Sequence, residues 1–544
     1  MALAVYRPAL HGSFVSDDIG YVLGNPWIHE LSAANLVAIL DPSGPAAKHT
    51  INYAPVHLLL HALEWRLFGA DVLGYHVVNV ILHALASVLV AALLNRSRLG
   101  FAAASVGGAI FLLHPANVEA VAWIFQLKTI VSLVLACGAL LAEPRRPLVA
   151  TALFGLALLA KIQAAFALPV ACVWVWLDGS ASPRARAARF GWLAGWLLLL
   201  GLAWLPEFVA FERGGYVAAS EAASGAARLR TLFALVGRYL VMAASSYGTS
   251  TFHQPDPPSS WADPWCLVGL LGSAALAGRA ALAFWRRAEE AAWWTWAAGG
   301  FLPVSQLLPF LYPMADRYLY YVLPGLIGGL GLAARSVLAS RVSRGVPRPL
   351  SRAAVALALL VLAGSAWRST GRADVWRSEI TLMLDAAAHY PNGMQANLLR
   401  AQSAARRGDA DAAAQALRAA SARGFDRFMD LDRDPLYASV HDDPHFQEAL
   451  RDVAGRWIAA VEPRSDPTSL ELLMLGRAHA ARGEWQQAAQ SLERALATGG
   501  PGSEEAREQL AEVRARLLRE QAQRPTERAQ RPDAGETTRG EATP

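Results

Sequence analysis

The stretch "VLGYHVVNVILHALASVLVAALL" (residues 72–94) contains no Asp, Glu, Lys or Arg. A membrane-spanning helix needs about 20 mainly apolar residues, so this stretch predicts a transmembrane helix. Similar runs recur up to about residue 367, and the whole chain is 54% hydrophobic and only 17% charged. Soluble proteins carry about 25% charged residues. The sequence therefore predicts an all-α protein whose larger part is a bundle of membrane helices.

Eleven spans are expected. The well-formed candidates lie at 72–94, 118–142, 190–209, 264–284, 291–311 and 318–338, and shorter ones lie at 100–114, 147–160, 162–177 and 352–367. The opening "MALAVYRPAL" (residues 1–10) covers only about half of the roughly 30 Å hydrocarbon core at 1.5 Å per residue. We count it as a truncated first span and expect the true start codon upstream.

Arginines follow alternate spans, which orients the bundle by the positive-inside rule. They are Arg96, Arg98, Arg145, Arg146, Arg184, Arg186, Arg189, Arg286, Arg287, Arg341, Arg344, Arg348 and Arg352. The N-terminus is then cytoplasmic, and the C-terminal region lies outside a bacterial inner membrane, in the periplasm. In this topology segment 229–247 must not cross the membrane, so we expect it to form an amphipathic helix on the outer membrane surface.

The last third of the chain has the composition of soluble helices. "LLMLGRAHAARGEWQQAAQSLERALATGGP" (472–501) matches the tetratricopeptide pattern, and "NLLRAQSAARRGDADAAAQALRAA" (397–420) is a weaker copy. The predicted domains are a membrane domain at 1–368, a helical repeat domain at 369–520 and a disordered, Pro-rich tail at 521–544. Repeat arrays of this kind bind peptides or proteins on a concave face.

Composition argues against two other classes of function. The net charge is only +5, and the basic residues cluster in short loops and the tail, which disfavours nucleic-acid binding. Cys137, Cys172 and Cys266 all lie in apolar stretches without metal-ligand spacing. We read them as buried small residues rather than as a disulfide framework or a catalytic thiol.

Two adjacent carboxylates, Asp17 and Asp18, head the first loop predicted to face outward, in "GSFVSDDIGYVLGN" (12–25). A helix cap or a topological charge would explain an isolated pair. On the same side lie further ionisable groups within or beside spans, and such groups are functional candidates by default. These are His114, Glu119, Lys128, Lys161 and Arg317.

His76, Asn79 and His83 share one helical face at positions i, i+3 and i+7. Metal ligation and hydrogen bonding between helices are both compatible with this spacing, and the sequence assigns no metal. Arg317 stands between Asp316 and a tyrosine cluster, where it could also be an interfacial anchor.

An acid with nearby cations at the outer membrane face suits the transfer of a sugar from a lipid phosphate. The departing phosphate needs Lys or Arg to stabilise its developing charge. The acceptor hydroxyl needs a carboxylate base. A proton-coupled transporter would also use buried Asp, Glu, His and Lys, but it often shows internal halves with interrupted helices. We see no such symmetry in this sequence.

Seven motifs in order carry a family resemblance. They are "FVSDDIGYVLGNPWI", "YAPVHLLLHAL", "GYHVVNVILHA", "HPANVEAVAWIFQLKTIVS", "AKIQAAFALP", "DRYLYYVLPGL" and "DVWRSEITLMLDAAAHYPNGMQANL". With the repeats that follow, the chain resembles the tetratricopeptide-containing membrane O-mannosyltransferases and their bacterial relatives, in the GT-C superfamily of polyprenyl-phosphate-sugar-dependent glycosyltransferases.

The resemblance implies a GT-C-like membrane domain and transfer of a mannose-like sugar from a polyprenyl-phosphate donor to a protein hydroxyl. It implies that Asp17 or Asp18 is the catalytic base, and that Lys161 and Arg317, with Lys128 nearby, hold the donor phosphate. The implied partner is an acceptor protein or peptide, which would dock on the repeat domain. The alternative function is a non-catalytic, membrane-anchored repeat scaffold, for which the aspartate pair would be dispensable.

Overall fold

A computed structural model describes residues 1–213, 225–307, 312–342, 350–464, 467–499 and 502–529. Within these ranges every regular element is a helix, which confirms the all-α class. The chain divides into two compact units, Met1–Ala396 and Asn397–Pro544. The division lies beyond the sequence-predicted boundary at 368/369, because residues after 368 bind the first loop: Ser13 N–H donates to the Arg377 carbonyl at 3.0 Å.

The helices of the first unit are short near the N-terminus and longer afterwards. They are α1 Ala2–Val5, α2 Pro26–His29, α3 Ala33–Leu40, α4 Pro45–Thr50, α5 Pro55–Phe68, α6 Val72–Arg96, α7 Phe101–Leu113, α8 Val118–Ala122, α9 Leu127–Ala142, α10 Pro147–Ala160, α11 Ala167–Leu177, α12 Pro183–Arg213, α13 Gly225–Ser245, α14 Pro264–Trp285, α15 Glu290–Phe301, α16 Leu319–Val342, α17 Leu350–Val375 and α18 Glu379–His389.

Four helical segments of the described chain are long and apolar enough to cross a membrane. They are Val72–Arg96, Ile124–Ala142, Pro183–Ala210 and Pro264–Trp285, and the pair Phe101–Leu113 and Pro115–Ala122, bent by 52°, would make a fifth. These spans support a membrane protein, but the predicted number of eleven is not confirmed. Several predicted spans are too short as helices: α10 and α11 have 14 and 11 residues, or about 21 and 17 Å at 1.5 Å per residue.

The predicted span 118–142 is interrupted. The backbone leaves the helix at Trp123, and a 3-10 turn, Ile124–Gln126, precedes α9. Lys128 is therefore the second residue of α9 and not a residue deep inside a continuous helix. The break exposes backbone N–H groups that a neighbouring side chain satisfies, as described below for Asp18.

Small residues bring helices of the bundle together. A Cβ atom added at Gly269 of α14 would meet the Phe233 carbonyl of α13 at 1.8 Å, so the two backbones touch. Close packing through small residues is typical of membrane helix pairs. Helix α13 covers the segment that we expected to lie on the membrane surface. It packs along α14. Its predicted position on the outer membrane surface stays a prediction.

The second unit consists of helix pairs. Its helices are α19 Met394–Arg406, whose first three residues belong to the first unit, α20 Ala410–Ala422, α21 Pro444–Val461, α22 Ser469–Ala481, α23 Trp485–Thr498 and α24 Ser503–Ala529. In the α22–α23 hairpin, Gly476 faces Leu492 and leaves room for close packing. Gly483, in the turn, adopts a left-handed conformation with φ +77°. Of the tail predicted to be disordered, residues 521–529 continue α24, and 530–544 lie outside the described residues.

Candidate functional site

The two aspartates of the first loop have different environments. Asp18 is buried, and its carboxylate accepts hydrogen bonds from Val15 N–H at 3.0 Å and from Phe125 N–H at 2.7 Å. Burial raises the pKa of the Asp18 carboxyl, against the opposing effect of these two N–H groups. Asp17 is exposed. Asp18 thus anchors the backbone break before α9.

A distant segment of the first unit holds this loop. Ser16 N–H donates to the Glu379 carboxylate at 3.0 Å, next to the bond between Ser13 and Arg377. Two of the motifs that carried the resemblance, at 14–28 and 374–398, therefore meet. Sequence reasoning did not predict this contact.

Lys128 points its ammonium group at aromatic rings. Its Nζ lies 3.9 Å from the centre of the Phe125 ring and 5.5 Å from that of Tyr21. The residue is only 6% exposed, and within the described part of the chain no carboxylate forms an ion pair with it. A cation on an aromatic face is stabilised by the ring quadrupole. No hydrogen bond joins the ammonium group to the described residues.

Lys161 stands at the break between α10 and the turn Ile162–Phe166, where the sequence predicted a bend. Its Nζ donates to Thr129 Oγ1 at 2.8 Å, and Thr129 in turn donates to Gln126 Oε1 at 2.6 Å. The ammonium also lies 5.8 Å from the Tyr321 ring centre. The turn before α9 thus positions Lys161 as well as Lys128.

Arg317 is held by Glu119. The Glu119 carboxylate accepts the Arg317 backbone N–H at 2.7 Å and pairs with the guanidinium group through Oε1. Trp123, Tyr318 and Tyr312 surround the guanidinium, with ring centres 5.2 to 5.6 Å from Cζ. Because Glu119 is engaged in this pair, it is a positioning group for Arg317 in this structure.

The three predicted cations converge. Lys161 binds Thr129, the residue next to Lys128, and the Arg317 guanidinium lies over Trp123, at the helix break before α9. The full sequence contains only three lysines among its 49 Lys and Arg residues, and two of the three are in this cluster. We call Lys128, Lys161 and Arg317 the cation cluster.

A carboxylate that sequence reasoning missed adjoins the cation cluster. Glu207 of α12 accepts the Tyr53 backbone N–H at 2.7 Å, and its charge acts on both Lys128 and Lys161. Asp17 also acts on Lys128. The sequence did contain a signal for Glu207: it is a carboxylate inside the predicted span 190–209, directly after Pro206, and ionisable residues within spans are functional candidates.

The polar side chains of α6 that the sequence singled out form hydrogen bonds to other segments of the bundle. Asn79 donates to the carbonyls of Val121 and Trp123, both at 3.3 Å. His83 Nε2 lies 3.1 Å from the Leu112 carbonyl and its Nδ1 lies 2.9 Å from the Tyr320 hydroxyl. Of the two roles compatible with the spacing, these contacts are those of hydrogen bonding between helices rather than of metal ligation.

His76 and His114 differ in their environments. Neither ring nitrogen of His76 has a hydrogen-bond partner among the described residues. His114 accepts the Ala116 N–H at 3.2 Å and contacts the Ala243 carbonyl at 3.1 Å, so it ties the turn after α7 to α13. In the described ranges no group of three or more His, Cys, Asp or Glu residues could hold a metal ion.

Asp316, beside Arg317, joins a second polar network that the sequence did not reveal. His253 Nε2 lies 2.7 Å from the Asp316 carboxylate, and His253 Nδ1 lies 2.9 Å from the Tyr390 hydroxyl. Arg372 lies between Asp316 and Asp385, 3.9 and 2.5 Å from their oxygens. This network braces the turn that carries Arg317.

Comparison with known proteins gives partial matches. A tetratricopeptide repeat model matches residues 470–513, which confirms the predicted repeat there. Protein O-mannosyl-transferase Tmtc1 of Drosophila melanogaster is 36% identical over 132 residues, which are 22% of this chain and 15% of that protein. A protein O-mannosyl-transferase of Caenorhabditis elegans is 29% identical over 128 residues, 22% of this chain and 19% of that protein. No solved structure matches the chain.

Proposed function

We propose that this protein is a membrane glycosyltransferase of the GT-C type, which moves a mannose-like sugar from a polyprenyl-phosphate donor to a protein hydroxyl. The names of its two relatives support a glycosyltransferase role. The observation that carries the proposal is the cation cluster, in which the buried Lys128 and the partly buried Lys161 make no ion pair with a carboxylate among the described residues. Such a site favours an anionic group, and phosphate is the anion that lysine commonly binds.

The cations act on the leaving group. Lys128 and Lys161 donate to the phosphate oxygens of the donor, and their interaction strengthens as the bond from the sugar to phosphate breaks and negative charge develops. Arg317 adds a fixed positive charge, since Glu119 and the aromatic rings hold its guanidinium in place.

Asp17 is our choice for the base. The acceptor oxygen attacks the anomeric carbon, the bond to the phosphate oxygen breaks, and the hydroxyl proton passes to the base, so the lipid phosphate leaves with the electron pair. Asp17 is exposed and its charge acts on Lys128. Asp18 is buried and occupied by two backbone N–H groups, so its part is to position the turn that carries Lys128.

The proposed setting is a bacterial inner membrane with a cytoplasmic N-terminus and a periplasmic repeat unit. The repeat unit would then lie on the side where the acceptor protein is glycosylated. Its helix pairs offer a surface for an extended segment of the acceptor.

The test uses the purified full-length chain in lipid vesicles, with a polyprenyl-phosphate mannose donor and a Ser/Thr-rich acceptor peptide. We expect a mass gain of one hexose on the peptide, lost in Asp17→Asn and in Lys161→Met. Mass spectrometry of periplasmic proteins from a gene deletion strain should show the same modification lost. A non-catalytic scaffold predicts no transfer and no difference between wild type and Asp17→Asn, and that result would refute the proposal.

A further inference from the structure

The first loop docks on the segment Trp376–Glu379, which runs from the end of α17 into the first residue of α18. At Gly12 the two backbones touch, because a Cβ atom added there would lie 3.0 Å from the Arg377 carbonyl oxygen and 3.2 Å from the Arg377 Cα. The Ser13 N–H donates to the same carbonyl at 3.0 Å. The start of the loop is therefore fixed to a segment 364 positions away in the sequence.

Glu379 holds the residue that precedes Asp17. Ser16 has a left-handed backbone conformation, with φ +54°. Such a conformation is costly for a residue with a side chain, and it persists only where surrounding contacts hold it. The Ser16 N–H donates to the Glu379 carboxylate at 3.0 Å, and a hydrogen bond to a carboxylate is stronger than one between neutral groups. Glu379 therefore stabilises the turn that leads into Asp17.

The same segment also reaches the cation cluster. The Trp376 ring is buried and stacks on the Trp123 ring, with centroids 5.4 Å apart and planes at 24°. Trp123 marks the helix break before α9, and the Arg317 Cζ lies 5.4 Å from the centre of its ring. The segment Trp376–Glu379 thus contacts both the loop of the proposed base and one side of the proposed phosphate site.

We propose that Glu379 is a positioning residue, which sets the place of the Asp17 carboxylate relative to the cation cluster. This inference rests on the proposed function, because it takes Asp17 as the base. Glu379 acts through the Ser16 backbone and touches neither donor nor acceptor. A base must lie within hydrogen-bond reach of the acceptor hydroxyl, and a misplacement of about 1 Å can cost about 100-fold in rate. The bond from Ser16 to Glu379 is therefore expected to affect the chemical step.

The test measures sugar transfer by the full-length protein in lipid vesicles, with the polyprenyl-phosphate mannose donor and the Ser/Thr-rich peptide. Glu379→Ala removes the bond to Ser16. We expect kcat to fall about 10- to 100-fold, as for a misplaced catalytic group. The dissociation constant of a polyprenyl-phosphate analogue should stay unchanged, because Lys128 and Lys161 keep their contacts. Thermal unfolding checks that the variant is folded.

A second substitution distinguishes positioning from a general loss of structure. Glycine adopts a left-handed conformation without the steric cost of a Cβ atom. Ser16→Gly in the Glu379→Ala background should therefore raise kcat about fivefold or more above that of Glu379→Ala alone, since it removes the backbone strain that the carboxylate offset.

Asp374→Ala is the matched control. Asp374 is an exposed carboxylate five residues before Glu379, and it pairs with the Arg377 side chain at 3.4 Å. Among the described residues it forms no hydrogen bond to the first loop. The kcat of this variant should equal that of wild type.

Glu379→Gln covers the case in which Glu379→Ala does not fold. Its amide oxygen can accept the Ser16 N–H but carries no charge, so kcat should fall by a smaller factor. Wild-type kcat in a folded Glu379→Ala would overturn the role of Glu379. A loss that Ser16→Gly does not restore, or an equal loss of donor affinity, would overturn it too, since either result indicates a structural role only.

These outcomes leave the proposed function standing, because wild type transfers sugar in each of them. If wild type transfers no sugar, the proposed function falls, and the positioning role of Glu379 falls with it.

Discussion

Glu119 holds Arg317 twice, by accepting its backbone N–H at 2.7 Å and by pairing with its guanidinium group. The two residues are 198 positions apart in the sequence. The pair therefore joins α8 to the turn before α16, and both its charges are largely buried. A buried pair of this kind is sensitive to the loss of one partner, because the other charge is then left without compensation.

The first prediction concerns this pair. Glu119→Ala should lower the free energy of unfolding by about 3–5 kcal/mol, because it leaves a buried guanidinium group unpaired. The double variant Glu119→Leu/Arg317→Met should lose much less than the sum of the single changes. Unfolding in detergent, followed by tryptophan fluorescence, is measured for wild type, Glu119→Ala, the single variants Glu119→Leu and Arg317→Met, and the double variant. Additivity within about 0.5 kcal/mol would show that the two side chains are energetically independent.

The second prediction concerns the lysines. Lys128→Met and Lys161→Met should each weaken binding of a polyprenyl-phosphate analogue at least about tenfold, since each removes a charged hydrogen bond of about 1.5–3 kcal/mol. Arg145→Met is the control, because Arg145 is an exposed cation just beyond the opposite end of α9 from Lys128. Unchanged affinity in both lysine variants would leave these residues with structural roles only.

Arg317 provides a third prediction of a different kind. Arg317→Lys keeps the charge but cannot reproduce the planar guanidinium contacts with Glu119 and the aromatic rings. We expect weaker binding of the donor analogue although the net charge is the same. Equal affinity of the variant and wild type would mean that charge alone matters at this position.

The fourth prediction separates the two aspartates. Asp17→Asn should lower the rate of sugar transfer by about 10²–10⁴-fold, as expected for loss of a positioned base. Asp18→Asn should change protein stability and donor affinity, since it alters the bonds to Val15 and Phe125. Initial rates at several donor concentrations, with thermal unfolding, resolve the two effects. Transfer at the wild-type rate by Asp17→Asn would place the base elsewhere.

The fourth prediction extends to the pH dependence of stability at Asp18. Burial raises its pKa in the folded protein above the unfolded value of about 3.9, so the folded state binds the proton more tightly. Stability therefore falls as the pH rises from the unfolded pKa to the folded one. Asp18→Asn cannot ionise and escapes this loss. The unfolding temperature of the variant relative to wild type should rise with pH from 4 upward, and a difference independent of pH would contradict the assignment.

The fifth prediction addresses topology. A reporter that is active only in the periplasm should work when fused after Gly424 in the repeat unit and fail when fused after Arg186. The motivation is the alternation of basic loops, which places Arg186 in the cytoplasm. The reverse pattern would place the predicted site residues on the wrong side for an acceptor that lies outside.

The sequence by itself determined the composition-dependent features: the membrane character, the all-α class and the tetratricopeptide repeat at 470–513. These depend on hydrophobic run length and on local periodicity, which a single stretch contains. It also singled out Lys128, Lys161 and Arg317, because ionisable residues are rare in apolar runs.

Only the tertiary structure decided which groups meet. Asp18 binds the Phe125 backbone 107 positions away, and Glu207 binds that of Tyr53 154 positions away. The helix break at Trp123, which brings Lys128 to the start of α9, lies inside a run that reads as one continuous span. The reason is physical: hydropathy reports how much apolar surface a segment must bury, whereas partners are chosen by the packing of helices far apart in the chain.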